Sequence, residues 1–184
     1  EIKKESQRTV EEAIGDLPKL YPLSSKQPNG SRKESHSCEF QFQNHAPRFH
    51  NSRDIEIFRE LTEDIESGRN ELVSAESLKK LYTERTGRTS SVHKYYVLRR
   101  NEPSNLIPAH LHKDGLRHIH YDSDQARSIT VREAARLQTF EDDFEFLGSM
   151  GDQYKMIGNA VPPHFSGKLA DSIETLMKKR LIKV

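Results

Sequence analysis

Apolar residues fall along this chain in short, spaced groups. Over 54–67 they recur as Ile55, Phe58, Leu61 and Ile65, one stripe of a helix of period 3.6. Asp54 is placed to cap that helix and Gly68 to end it. A second, shorter helix is predicted over 74–84, with Leu78, Leu81 and Tyr82 inward and Gly87 breaking the pattern. Near the N-terminus, 8–20 reads as a short helix. Thr9 and Glu12 have capping-box spacing, in which the hydroxyl accepts from the Glu12 N–H while the carboxylate reaches back, and Gly15 or Pro18 stops the helix. The same box recurs as Thr130 and Glu133 at the head of a helix over 129–138, with Ile129 and Ala134 at hydrophobic-staple positions. The longest helix is predicted over 163–180. Its stripe is Phe165, Leu169, Ile173 and Leu176, and Pro162 and Pro163 suit its first turn.

Between these helices the pattern shortens. Residues 24–37, rich in Ser, Lys, Asn and Gly, read as a mobile loop. The aromatic and β-branched run over 95–99 reads as a strand, with further strands over 106–111 and 118–121 and a turn at Asp114–Gly115. These segments describe a small, irregular, mostly β module flanked by two helices. The fold class is α+β.

Composition narrows the class. With 184 residues, 33% hydrophobic and 31% charged, the chain suffices for one domain or one and a half. No window approaches the ~20 apolar residues of a membrane helix, and no signal-peptide pattern opens the chain. The single cysteine, Cys38, excludes a disulfide framework within the chain and points to a reducing compartment. The opening residue, Glu1, suggests a fragment boundary. Net charge is only +1, but its distribution is uneven. Residues 54–78 hold eight acids against two bases, and 85–136 hold ten bases against five acids. Separated signs suit a face that approaches phosphate, and equally suit ordinary solvated faces.

Three groups of residues could carry chemistry. His110 with His112 and His118 with His120 would each share a strand face and could chelate a metal; polar residues on a wet sheet face are the plainer reading, and no metal is expected. Cys38 lies at the edge of a polar loop and reads as a passive thiol. Residues 158–163, Gly-Asn-Ala-Val-Pro-Pro, put a glycine turn before a helix start, a place where backbone N–H groups can hold a carboxylate or phosphate, or simply a loop-to-helix junction.

Residues 127–140, Arg-Ser-Ile-Thr-Val-Arg-Glu-Ala-Ala-Arg-Leu-Gln-Thr-Phe, resemble the ninth conserved motif of DNA cytosine-5 methyltransferases. Residues 153–163, Gln-Tyr-Lys-Met-Ile-Gly-Asn-Ala-Val-Pro-Pro, resemble the tenth. Residues 9–20 look like the stretch after the eighth motif, and 44–54 and 103–115 like the target-recognition region. The resemblance implies the C-terminal part of such an enzyme. Residues 1–20 would be a connector from the catalytic domain, 21–125 a DNA-recognition domain, and 126–184 a segment that returns to a Rossmann-like cofactor domain absent from this chain. Family members attack C6 of a flipped cytosine with the thiolate of a Pro-Cys dipeptide and methylate C5 from S-adenosylmethionine. Here Cys38 follows Ser37 and the Gly-rich cofactor loop is missing, so the resemblance implies no catalytic residue in this chain and no activity without its other half.

The tenth motif implies that Asn159, Ala160 and Val161 meet S-adenosylmethionine, with Phe140 close by. Arg99, Arg100, Lys113 and Arg117 are the candidates for DNA contact, most of them to phosphate. Arg132 and Arg136 are expected to tie the ninth-motif helix to the recognition domain. The implied partners are duplex DNA and a catalytic half on the same or a separate chain, with no membrane, in the cytoplasm or nucleoid, or in the nucleus of a eukaryote. Two positions depart from the family: Glu141 stands where Pro is usual, and Leu106 replaces a Thr whose hydroxyl would bond a phosphate. A stand-alone DNA-binding or regulatory protein derived from such an enzyme is the alternative.

Overall fold

A computed structural model describes residues 6–23, 34–113 and 115–181. Helix α1, Val10–Ile14, starts where Thr9 Oγ1 accepts from Glu12 N at 3.2 Å and Glu12 Oε2 accepts from Thr9 N at 2.8 Å. It is shorter than the expected 8–20. Gly15 caps it, and beyond Pro18 the chain turns into strand β1, Leu20–Pro22. Strand β2, His36–Cys38, pairs antiparallel with β1, Leu20 opposite Cys38 and Pro22 opposite His36. The loop expected over 24–37 therefore ends in a strand, and its stretch 24–33 lies outside the described residues.

Helix α2, Ser52–Glu66, begins earlier than predicted. Asn51, not Asp54, is the cap, its Oδ1 accepting from Asp54 N at 2.9 Å. Asp54 sits instead in the first turn, where its charge favours the positive end of the helix. The buried face is rotated from the predicted stripe: Ile57, Phe58 and Leu61 are buried while Ile55 and Ile65 are partly so. Helix α3, Ala75–Thr86, is capped by Ser74 and ends at Gly87, whose φ of +68° is the left-handed C-cap that glycine adopts without penalty. Buried Asp64 fastens the connection between the two helices by accepting from Glu71 N and Leu72 N at 3.1 and 2.9 Å.

The expected strands are thinner in the structure. Val97 bridges Ile119 in parallel, and Ile119 bridges Ser128 in antiparallel fashion. Hydrogen bonds from Leu98 N to Ile119 O, Ile119 N to Tyr96 O, His120 N to Arg127 O and Ile129 N to His118 O complete this narrow pairing. Residues 106–111 form no strand. Pro108 cannot donate to a ladder, Leu106 is 82% exposed, and the segment closes into turns through Leu111 N to Pro108 O and Lys113 N to His110 O. Asp114 of the predicted turn lies outside the described residues, and Gly115–Arg117 is one turn of 3₁₀-helix. Among the described residues, regular β structure is the β1–β2 pair alone, so the module expected to be mostly β is irregular.

Helix α4, Val131–Leu137, carries the second capping box as predicted. Helix α5, Met150–Asn159, was not predicted, although Ser149 and Asp152 form a third capping box and Tyr154 and Ile157 make its buried face. Helix α6, Pro163–Leu181, follows after Ala160, Val161 and Pro162. No described helix is long and apolar enough to cross a membrane.

Two apolar clusters result. One unites α1, α4 and α5 with Leu98, Ile107, Leu111 and Tyr121. The other sets α2 and α3 against Tyr95, Val97, Ile119 and Ala126. Leu20 and Gln125, far apart in sequence, are brought together, although Leu98, Ile107, Leu111 and Tyr121 between them belong to the first cluster. Leu20 N donates to Gln125 Oε1 at 3.0 Å, and Lys19 pairs with Asp122 at 3.0 Å.

Candidate nucleic-acid interface and the joint beside it

A buried polar core separates the two clusters. Arg127 and Glu133, both essentially inaccessible, form a two-pronged ion pair at 2.6 and 2.7 Å. Arg127 also donates to Gln125 Oε1 and Ser128 O, and Glu133 accepts from Thr130 N. Burial alone would raise the Glu133 pKa. The charge of Arg127 and its hydrogen bonds, with smaller help from His120 and His45, outweigh burial and hold the carboxyl well below its ordinary range. Four buried histidines surround the pair. His36 Nε2 bonds Gln125 O, His45 bonds Thr130 and Pro18 O, His50 bonds Ser128, and His120 lies 3.5 Å from Glu133. Burial is the largest cause that depresses all four, with the charge of Arg127 adding to it.

His118 and His120 are thus core residues, and His118 Nε2 bonds Leu106 O. Among the described residues no group of three or more His, Cys, Asp or Glu side chains is placed to hold a metal. Cys38 is half-buried, with Sγ donating to Phe40 O.

The four DNA candidates separate. Arg99 and Arg117 line one cleft of about 730 Å³, floored by Leu61, Ile65, Leu78 and Val97. Arg99 donates to Asn70 Oδ1 at 3.1 Å. Arg100 turns away, pairing with Glu11 at 3.2 Å and Glu66 at 3.9 Å while lying over the Tyr121 ring. Lys113 is exposed on the 108–113 turn. The segregated charge runs partly consume each other, since Arg85 also pairs with Glu60. Arg132 is wholly buried and donates to Gln43 O, Glu141 O and Phe144 O, while Arg136 grips Asp142 and Asp16. Both are structural ties.

The cofactor candidates lie at the joint of α4, α5 and α6. Gln138, at the end of α4, donates from Nε2 to Ile157 O at 3.2 Å and to Ala160 O at 3.5 Å. His164 N, at the start of α6, donates to Thr139 Oγ1. Phe140 packs in an aromatic trio with Phe144 and Phe146 and lines a cleft of about 1290 Å³ together with Thr139, Pro163 and His164. Asn159 and Val161 are exposed but do not line that cleft, and neither does Ala160. Gly158 serves packing. A Cβ there would stand 2.3 Å from Pro108 O and 2.9 Å from Ala109 Cα. Gly158→Ala is therefore expected to cost about 1–3 kcal/mol by forcing backbone apart; a urea midpoint unchanged from the parent would refute this.

Sequence reasoning missed Arg127, Glu133, Arg48 and Tyr154. Only Glu133 carried a signal, the capping box. A buried arginine carries none, because charge and length usually place that residue outside.

On α6 the predicted stripe is fully displayed. Phe165, Leu169, Ile173, Leu176 and Met177 are 43–60% exposed.

Compared with known proteins, residues 1–175 match the model of the C-5 cytosine-specific DNA methylase family. The type II methyltransferase M.Bpa9945I of Bacillus paralicheniformis is 36% identical over 74% of this chain and 30% of its own length. A protein of Oceanobacillus iheyensis is 34% identical over an alignment that takes in 94% of this chain and 44% of its own. The type II methyltransferase M.AgeI of Thalassovita gelatinovora is 42% identical over 44% of this chain and 18% of its own. The chain spans less than half the length of these relatives.

Proposed function

The chain belongs to the C-5 cytosine-specific DNA methylase family, and on that premise we propose that it is the DNA-recognition and C-terminal portion of a DNA cytosine-5 methyltransferase. In this reading 21–125 holds duplex DNA, and 126–184 returns to a cofactor domain carried elsewhere. The exposed stripe of α6 carries the reading. Five large apolar side chains on one helix, next to a joint fastened by Gln138, suit a surface that is finished by another domain. The chain brings the α4–α6 joint and its basic side chains, while the nucleophile and the Gly-rich loop come from the other half.

S-adenosylmethionine, when bound, supplies the methyl group. The joint suits part of such a ligand, with the exposed Asn159 amide for its polar end and the Phe140 ring for a flat one, Ala160 and Val161 following Asn159 in sequence. Arg99 and Arg117 are assigned to the DNA through their shared cleft, and Lys113 through its exposed turn. Arg100 contributes less, because Glu11 and Glu66 already engage it.

The test is reconstitution. Mixed with or fused to a catalytic half that carries the nucleophile and the Gly-rich loop, the chain should support transfer of labelled methyl groups from S-adenosylmethionine to duplex DNA, and alone it should support none. Leu169→Ser with Ile173→Ser should abolish that rescue while leaving the α4–α5 core folded. No transfer in either arrangement would overturn the reading. Specific duplex binding by a homodimer that covers the α6 face would favour a stand-alone regulator.

A further inference from the structure

The 108–113 turn is held from two sides by one helix. On one side the Gly158 backbone lies against Pro108 and Ala109. On the other, Arg48 donates from Nη1 to His112 O at 3.1 Å and from Nη2 to Leu111 O at 2.7 Å, and its guanidinium lies 3.9 Å over the Tyr154 ring. Tyr154 is itself fixed, buried with its hydroxyl donating to Ile129 O at 2.7 Å. Tyr154 and Gly158 are one turn apart on α5 and so share a face. Gly115 leaves room for the clamp, since a Cβ there would stand 3.2 Å from the guanidinium carbon. The turn itself buries Leu111 and exposes His110 and Lys113.

From this geometry, and resting on the DNA-binding reading above, we propose that Arg48 is a positioning residue that orients the 108–113 turn so that Lys113 meets a DNA phosphate. Arg48 turns one donor from each terminal nitrogen to a backbone carbonyl and its flat face to a ring. Its work is therefore to fix the direction of the turn rather than to add charge to the interface. Only a planar fork can serve two carbonyls and a ring at once; a lysine ammonium keeps the charge and loses the arrangement.

The experiment compares the full chain with Arg48→Lys, Lys113→Ala and the double variant. Binding to a short fluorescein-labelled duplex of mixed sequence is followed by anisotropy across a salt series, and amide exchange is followed at Leu111 and Lys113. Arg48→Lys is expected to lower the slope of log affinity against log salt by about one, as loss of one phosphate contact does. Lys113→Ala should lower it equally, and the double variant no further. Exchange at Leu111 N and Lys113 N should rise in Arg48→Lys with or without DNA. Global destabilisation alone would change the active fraction and leave the slope alone. An unchanged slope in Arg48→Lys, or additive losses in the double variant, would overturn the inference while the functional reading stands. A parent chain that binds no duplex would overturn both. Should Arg48→Lys fail to fold, Gly115→Ala presses on the same guanidinium from the other side and should give the same loss of slope; a parent-like slope there overturns the inference.

Discussion

Arg127→Met will lower the unfolding free energy by about 3–5 kcal/mol, a large share of the roughly 5–15 kcal/mol that holds a domain together. The substitution leaves the Glu133 carboxylate inaccessible and without its partner. An ionised carboxylate in that place must take up a proton or open the core to water, and either route weakens the Thr130 cap that Glu133 also serves. The double variant Arg127→Met with Glu133→Leu should recover most of the loss, because an apolar pair of similar volume removes the desolvation cost of both charges. Urea unfolding of the three proteins decides it. A single variant within about 1 kcal/mol of the parent would show that the pair is not what joins the two clusters.

Acid should unfold this chain unusually early. His36 is held at a pKa of about 4 and His50 and His120 at about 3, with burial the largest cause in each. Their ordinary value is 6.5, so the folded state binds these protons less readily than the unfolded chain. Stability is complete above pH 6.5 and falls as the pH drops from there toward 3–4. At pH 5 each of the three contributes a loss of about 2 kcal/mol, together about 6 kcal/mol, enough to bring a domain of ordinary stability near its midpoint. The low pKa of Glu133 acts in the same direction only at more acidic pH, since its stabilisation is lost as pH falls below the ordinary carboxylate range. His50→Gln keeps an acceptor near Ser128 N but cannot be protonated, so it should move the acid midpoint downward by a few tenths of a pH unit. A chain that remains folded at pH 4, followed by circular dichroism, would contradict this account.

What could be read in the sequence was local. Capping boxes at Thr9 and Thr130 and the stripe of α6 depend on residues three or four apart, and all three appear where the spacing puts them. The displaced face of α2 and the missing strand at 106–111 were decided by distant partners. Ile57 faces the second cluster because Tyr95 and Ile119 are there, and the 108–113 segment turns because Gly158 and Arg48 hold it. Helix α5 was hidden by its two glycines, Gly151 and Gly158, which lower helix propensity and read as turns. At the candidate site, sequence spacing brought the four basic residues into one list, but it took the fold to show that Arg99 and Arg117 share a cleft while Arg100 is engaged by acids.

Leu20 and Gln125 are 105 positions apart in sequence and joined by a hydrogen bond, and the stretch between them returns to the frame at further anchors, through Arg100 O, Glu102 O, Leu98, Ile107, Leu111 and Tyr121. Closure entropy grows slowly with length, about 0.6 kcal/mol for each doubling. Lengthening or shortening a loop between those anchors therefore asks little of α1 and α4, whereas exchanging the anchors opens the core that they help to fill. Variation is thus cheap in the loops between anchors and costly at the anchors, which belong to the frame as much as α1 and α4 do.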